Sequence, residues 1–135
     1  WITPEQWRDN QRDMLQLLTR WINDWESNDM EQYSSHYSQT EFESYGRDYS
    51  RWKSHKQWVN SKKTFVNVEF SNLSIYRYPG EQDLVLMQYD QTYSSNNFNN
   101  EIAKELYWKQ QNQRWQIVYE GSRILNKPES SLASN

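Results

Sequence analysis

The chain has 135 residues and a formal net charge of −3 at pH 7, with 8 Trp, 10 Tyr, 4 Phe and no Cys. This length suffices for one domain with a real core, and so many aromatic residues at so small a net charge exclude the composition typical of disorder. The absence of cysteine excludes disulfides, thiolate zinc sites and a cysteine nucleophile, and no apolar run approaches the ~20 residues that span a bilayer.

The chain begins with the pattern of a capped amphipathic helix. Thr3, Pro4 and Gln6 match an N-cap, a first-turn proline and a capping-box partner. An apolar stripe of period 3.6 follows and predicts one helix to about Ser27. Its members are Trp7, Met14, Leu15, Leu18, Trp21, Ile22 and Trp25.

Two further helices are predicted before residue 64. Asn28 or Asp29 offers a new N-cap, and helical spacing of the next apolar residues predicts a short second helix containing Met30, Tyr33 and Tyr37. The third predicted helix has Gly46 near its start, and one of its faces is made of Tyr45, Tyr49, Trp52 and Val59. The basic residues of this stretch are then expected on the surface, namely Arg47, Lys53, Lys56 and Lys62.

From residue 64 the apolar period changes to two, which predicts strands. The first strand pattern covers 66–75, Pro79 and Gly80 mark a turn, and the second covers 84–93, with one face made of Val85, Met87, Tyr89, Gln91 and Tyr93. The polar stretch 94–100 is expected to be a loop without burial. Strands at 102–109 and 115–123 follow, joined by a hairpin turn at 111–113, and the tail from Asn126 is expected to fray.

Helices followed by hairpin-connected strands predict an α+β fold with an antiparallel sheet, because parallel strands would need crossover helices. The most economical packing is a strongly curved sheet around the long helix, which would enclose a cone-shaped cavity. We expect one domain at 1–125 and a flexible tail at 126–135, together forming a fragment of a longer protein.

Two segments of this pattern resemble a known family. The first is Trp21 to Trp25, continued by Asp29, Tyr33, Tyr37, Phe42, Trp52 and Lys56. The second is Leu86 to Ser94, continued by Lys104 to Lys109 and Arg114 to Glu120. In this order, over about residues 14–122, they resemble the nuclear-transport-factor-2-like (SnoaL-like) C-terminal accessory domain of bacterial periplasmic L,D-transpeptidases.

The resemblance implies a cystatin-like cone and a role beside an enzyme. In that family the acyl-transfer chemistry belongs to a separate domain with a cysteine nucleophile, and this chain has no cysteine. The implied function is a non-catalytic accessory domain that positions the enzyme on peptidoglycan or on a partner, without a cofactor. The implied location is the periplasm, reached by a signal outside this segment, with wall fragments or the catalytic domain of the same protein as candidate partners.

The aromatic and amide residues suggest a saccharide or muropeptide site, because sugars stack on rings while polar side chains bind their hydroxyls. Most rings at helical spacing are expected to be core. The rings expected at the mouth of the cavity are Tyr89, Tyr93, Tyr107 and Trp108. Gln91 and Glu120 complete the candidate binding set, Lys104 is a possible ion-pair partner of Glu120, and no catalytic or metal residue is assigned.

Two other hypotheses stay open. A small-molecule enzyme of the cyclase or isomerase type would need a buried carboxylate or histidine with a shifted pKa at the cavity floor. A homodimer through the exposed sheet face would make the domain an interface module. Nucleic-acid binding is disfavoured because the basic residues are scattered along the chain from Arg8 to Lys127.

Overall fold

The computed structural model describes residues 4–78, 80 and 83–125, and their side chains except at positions 4–7, 9, 10 and 124. The predicted N-cap Thr3, the turn residue Pro79 and the tail from 126 lie outside the described residues, as do the side chains of Gln6 and Trp7. The α+β fold is confirmed: three helices are followed by a four-stranded antiparallel sheet.

The helices are α1 (Pro4–Glu26), α2 (Met30–Ser35) and α3 (Tyr49–Asn60). The apolar stripe of α1 is confirmed by the burial of Met14, Leu18, Trp21, Ile22 and Trp25, although Leu15 is exposed. The second helix begins as predicted, because the Asp29 side chain accepts a hydrogen bond from the Gln32 amide at 3.2 Å. Tyr37 lies just beyond the end of this helix.

A short hairpin precedes α3 and was not predicted. Its strands are β1 (Glu43–Ser44) and β2 (Arg47–Asp48). Tyr45, expected on the helix, lies in the turn between them with φ +51°, beside Gly46 with φ +80°. The helix starts later because Asp48 caps it, accepting from the Arg51 amide at 3.0 Å.

The predicted surface position of Lys56 is wrong. Trp52, Lys56 and Asn60 are the buried residues of α3, and Lys56 is only 6% exposed. A spacing of four keeps these three residues on one face, whereas the predicted face contained Val59, which is half-buried. The apolar face of α3 is therefore interrupted by a cation that points into the core.

The sheet contains β3 (Val66–Arg77), β4 (Leu84–Ser95), β5 (Asn99–Gln111) and β6 (Arg114–Ile124), hydrogen-bonded in that order. Register shifts at Ser71/Ser74 and at Tyr107/Trp108 are bulges, which bend a strand and increase its twist. The last hairpin turns at Asn112 and Gln113, whose positive φ values of 52° and 64° are those of a two-residue turn.

The expected loop at 94–100 is shorter than predicted, because β4 extends to Ser95 and β5 begins at Asn99. The Ser95 hydroxyl accepts hydrogen bonds from the amides of Asn97 and Phe98 at 3.4 and 3.1 Å. Phe98 packs against the core. The expectation of no burial in this segment is wrong because one aromatic residue and a buried serine organise the turn.

The helices cover one face of the sheet, here called the inner face. Buried residues alternate along β4 and β5, so Val85, Met87, Leu106 and Trp108 point toward α1. The segment after α2 lies along the edge of β6, where the Ile117 amide donates to the His36 carbonyl at 2.7 Å and the Ser38 amide donates to the Ile117 carbonyl at 2.9 Å. This contact brings Tyr37 beside the inner face of β6.

Candidate functional site

Aromatic rings fill the space between the helices and the inner face. The centroids of Tyr37 and Trp52 are 3.8 Å apart, those of Trp21 and Trp25 are 5.2 Å apart, and Trp25 lies 5.6 Å from Tyr33. All five rings are at most 4% exposed. They confirm the expectation that rings at helical spacing belong to the core.

Three of the rings expected at a cavity mouth lie in that core. Tyr89, Tyr93 and Trp108 are at most 3% exposed, because their strand positions point toward the helices. The expected position at a mouth is therefore wrong for Tyr93 and Trp108, and a ligand contact by any of these three residues stays an untested prediction. Tyr107 lies on the opposite face, half-buried, with its ring 5.5 Å from the ring of Tyr119.

The amide of Gln91 is 2% exposed and has an internal partner. Its Oε1 accepts a hydrogen bond from the Tyr89 hydroxyl at 3.3 Å. A tyrosine hydroxyl therefore supplies the partner that a buried amide requires. Its role in binding a ligand also stays a prediction.

Glu120 lies at the centre of the buried polar groups. One carboxylate oxygen accepts from Lys104 Nζ at 2.7 Å, and the other accepts from the Tyr37 hydroxyl at 2.6 Å. The Tyr37 oxygen in turn accepts from Trp21 Nε1 at 3.1 Å. The sequence-based pairing of Lys104 with Glu120 is confirmed, and both side chains are buried.

A second ammonium group, that of Lys56, approaches the same place. Lys56 Nζ lies 5.5 Å from the centroid of the Trp25 ring and Lys104 Nζ lies 5.8 Å from it. Both are within the distance at which a cation is attracted by a ring face. Lys56, Lys104, Glu120 and Tyr37 are called the charged centre below.

Burial and neighbouring charges shift the pKa values of Glu120 and Lys56 in the charged centre. Burial alone would raise the pKa of Glu120, but the ammonium groups of Lys104 and Lys56 and the hydrogen bonds from Lys104 and Tyr37 hold it below its usual value. Burial lowers the pKa of Lys56 to about 8, an effect that Glu120 opposes and Lys104 reinforces. The carboxylate is therefore ionised at neutral pH.

An open cavity of about 430 Å³ lies elsewhere, on the sheet face away from the helices. Its lining includes Gln88, Asp90, Ala103 and Glu105, which alternate with the buried residues of β4 and β5 and so belong to the opposite, outer face. We call it the outer-face cavity. Its remaining lining residues are Tyr45, Asn72, Ser74, Tyr89, Lys104, Tyr119, Gly121, Ser122 and Arg123.

Tyr45 is held at the rim of this cavity although it is 70% exposed. Its hydroxyl accepts a hydrogen bond from the Ser122 amide at 2.9 Å and donates one to the Ser122 carbonyl at 3.3 Å. The ring of Tyr119 lies over Gly121, where an added Cβ would come within 2.8 Å of the Tyr119 hydroxyl oxygen. The missing side chain at 121 therefore lets this ring lie against the sheet.

Sequence reasoning did not single out Tyr45, Tyr119 or Gly121 as site residues. A glycine two residues after a tyrosine within a strand was the available signal, because such a glycine leaves room for an aromatic ring to cover it. Tyr45 had no comparable signal, since its position depends on the unpredicted hairpin.

The histidines hold no metal site among the described residues, where no cluster of three candidate ligands occurs. His36 Nε2 lies 2.7 Å from the Asp24 carboxylate, a pair that sequence spacing did not reveal because it joins two helices.

Within the described part of the chain, no helix is long and apolar enough to cross a membrane.

The layout of helices on one face of a four-stranded antiparallel sheet is the NTF2-like fold. More specifically, the model of the Cds6 C-terminal NTF2-like domain family matches residues 13–121, and the chain belongs to that family. No protein with a curated description matches the chain.

Solved structures agree on the fold. Bd1075 of Bdellovibrio bacteriovorus superposes with a TM-score of 0.82 and 23% identity, over 94% of this chain and 45% of that protein. A mutant of the helical cell shape determining protein Pgp2 of Campylobacter jejuni superposes with a TM-score of 0.74 and 24% identity, over 80% of this chain and 39% of that protein. An NTF2-like protein of unknown function from Pseudomonas putida superposes with a TM-score of 0.74 and 14% identity, over 90% of this chain and 98% of that protein. The chain thus spans less than half of Bd1075 and Pgp2.

Proposed function

We propose that this chain is the non-catalytic accessory domain of an exported bacterial protein that modifies peptidoglycan, of the L,D-transpeptidase type. Its role is to position the catalytic part on the cell wall. Membership of the Cds6 C-terminal NTF2-like domain family supports this proposal, as does the similarity in fold to a protein that determines helical cell shape. Export to the periplasm is part of the same proposal.

The observation that carries the proposal is the division between a filled interior and an open outer face. The rings and the charged centre occupy the inner face, where Glu120 is only 8% exposed. The outer-face cavity contains carboxylates, amides and tyrosines, and the chain has no cysteine that could act as a transpeptidase nucleophile. This arrangement is suited to binding rather than to acyl transfer.

Co-sedimentation with purified, insoluble peptidoglycan sacculi tests the proposal, with cellulose as the control particle. We expect the chain to pellet with sacculi and to remain in the supernatant with cellulose. Titration calorimetry with soluble muropeptides at millimolar concentration measures the same interaction. The proposal is abandoned if the chain neither sediments with sacculi nor releases heat with any muropeptide.

The enzyme alternative rests on Glu120, which is a buried carboxylate with a shifted pKa. A general base in an apolar pocket has its pKa raised toward neutrality, whereas the pKa of Glu120 is lowered by its cationic neighbours. We therefore assign Glu120 a structural role. A carbon-13 NMR titration of the glutamate carboxyls checks this assignment, and a Glu120 midpoint above the usual value of 4.5 would restore the enzyme hypothesis.

A homodimer through the sheet remains a separate proposal about assembly. Tyr76 and Tyr78 on β3 and just beyond it are 49% and 43% exposed, so the sheet offers aromatic surface to a second copy. Sedimentation velocity over a range of protein concentrations distinguishes a monomer from a homodimer. A single monomer boundary at all concentrations contradicts dimerisation and leaves the accessory role intact.

A further inference from the structure

The two tyrosine rings of the outer-face cavity are positioned before any ligand arrives. Tyr45 is tied to the backbone of Ser122 by two hydrogen bonds. Tyr119 is supported below by Gly121 and meets the edge of Tyr107 at an interplanar angle of 80°. Rings that are already ordered lose little conformational freedom when they bind, which favours weak ligands such as sugars.

The polar groups of the cavity form two pairs of an amide with a carboxylate. Gln88 Nε2 donates to Glu105 at 3.2 Å, and Asn72 Nδ2 donates to Asp90 at 2.7 Å. A primary amide has two N–H donors and an acceptor, and a carboxylate has about four acceptor positions. Each pair therefore retains donors and acceptors for a ligand that carries several hydroxyl groups.

The charges and the lining narrow the ligand class. Asp90 and Glu105 repel an anion, and an apolar ligand would strip water from both pairs without replacing its hydrogen bonds. The lining also carries two cations, Lys104 and Arg123, which balance its two carboxylates, so the cavity favours neither an anionic nor a cationic ligand. A neutral polyhydroxylated ring satisfies the polar pairs and can place its C–H face against a tyrosine.

We infer that the outer-face cavity binds a neutral pyranose ring of a glycan strand, held between the two tyrosines and the two amide–carboxylate pairs. This inference rests on the proposed function and adds where on the domain, and through which part of the wall polymer, binding occurs. Ala103 has the smallest side chain of the lining apart from Gly121, which the Tyr119 ring covers, so a flat ring can approach the sheet at Ala103.

Nitrogen-15 NMR of the chain titrated with chitotetraose, a neutral β-1,4-linked sugar, tests the inference. We expect amide shifts at Ala103, Gly121 and Ser122. Glu105→Gln keeps the shape of the side chain while removing the charged acceptor, and should weaken binding about tenfold, which corresponds to one charge-assisted hydrogen bond. Tyr119→Ala should weaken binding by a similar factor.

Tyr76→Ala is the matched control, because it removes an exposed tyrosine that does not line the cavity. It should change the affinity by less than about twofold. Gly121→Ala is a second, independent variant: its Cβ must push the Tyr119 ring off the sheet, so it should weaken binding without removing a polar group. Urea unfolding of each variant verifies that the fold is retained.

Each result decides a different point. If chitotetraose binds but Glu105→Gln and Gly121→Ala leave its affinity unchanged, the location is wrong and the proposed function stands. If only an amine-bearing wall peptide such as L-alanyl-γ-D-glutamyl-L-lysine shifts the cavity amides, the sugar assignment is wrong. If neither probe binds and sacculi do not retain the chain, the inference and the proposed function fail together.

Discussion

The buried lysine of α3 should make the stability of this domain rise with pH. Burial lowers the pKa of Lys56 from its ordinary 10.5 to about 8 in the folded chain. Between these values the unfolded chain binds more protons than the folded chain, so the free energy of unfolding increases with pH. This gain in the free energy of unfolding is complete above pH 10.5 and is lost as the pH falls through about 8.

The size of the effect follows from the difference of about 2.5 pKa units. At ~1.4 kcal/mol per unit this corresponds to roughly 3 kcal/mol in total. Buried tyrosines oppose it at high pH, because burial raises the pKa of Tyr33, Tyr37 and Tyr89 well above 10. In the unfolded chain these tyrosines lose their protons at a lower pH than in the folded chain. The free energy of unfolding should therefore be highest near pH 10 and fall at higher pH.

Urea unfolding followed by tryptophan emission at pH 7, 8, 9 and 10 measures this profile. Lys56→Met should remove most of the rise, leaving the part due to Lys63, whose pKa is also lowered by burial. It should increase the free energy of unfolding at pH 7 by about 1–3 kcal/mol, because it removes a buried cation and keeps its volume. Lys53→Met, at a half-buried position of the same helix, should preserve the rise. A flat wild-type profile, or an equal rise in Lys56→Met, would refute the reasoning.

Three other substitutions test the remaining contacts by urea and thermal unfolding. Glu120→Gln leaves the Lys104 ammonium buried without its carboxylate and should cost about 3–5 kcal/mol, most of which the double variant with Lys104→Met should recover; equal losses in both would contradict a paired structural role. Tyr37→Phe removes the donor to Glu120 and should cost about 2 kcal/mol while raising the pKa of that carboxyl; an unchanged carboxyl titration would argue against the observed bond. Asp48→Ala removes the cap that accepts from Arg51 and should cost about 1 kcal/mol, and an unchanged midpoint would contradict the role of this cap.

Local periodicity was sufficient to predict most secondary structure. The stripe of α1 and the alternation of β4 place apolar residues at fixed angular intervals, and each pattern stabilises only one backbone conformation with a buried face. The hairpin at 112–113 was equally local, since asparagine tolerates the positive φ that a two-residue turn requires. The loop at 94–100 was predicted too long because hydrogen bonds to Ser95 and the packing of Phe98 against the core together order this turn.

The candidate site was predicted only in part. The pairing of Lys104 with Glu120 followed from adjacent strands, and the structure places their charged atoms 2.7 Å apart. The face of α3 was wrong because the cap at Asp48 determines where the helix starts, and a cation can be buried only where distant residues supply a carboxylate and rings. For Lys56 those partners are Trp25 of α1 and Glu120 of β6, and no local pattern contains them.

The sequence by itself determined the order of the three helices and of the four strands of the main sheet, the aromatic composition of the core and the lack of a cysteine nucleophile. Tertiary structure decided which residues line the outer-face cavity. Alternation along a strand separates two faces but does not tell which one the helices cover, and so Tyr93 and Trp108 became core while Tyr119 and Glu105 line the outer-face cavity. Burial depends on what packs across a face, and that partner comes from a distant part of the chain.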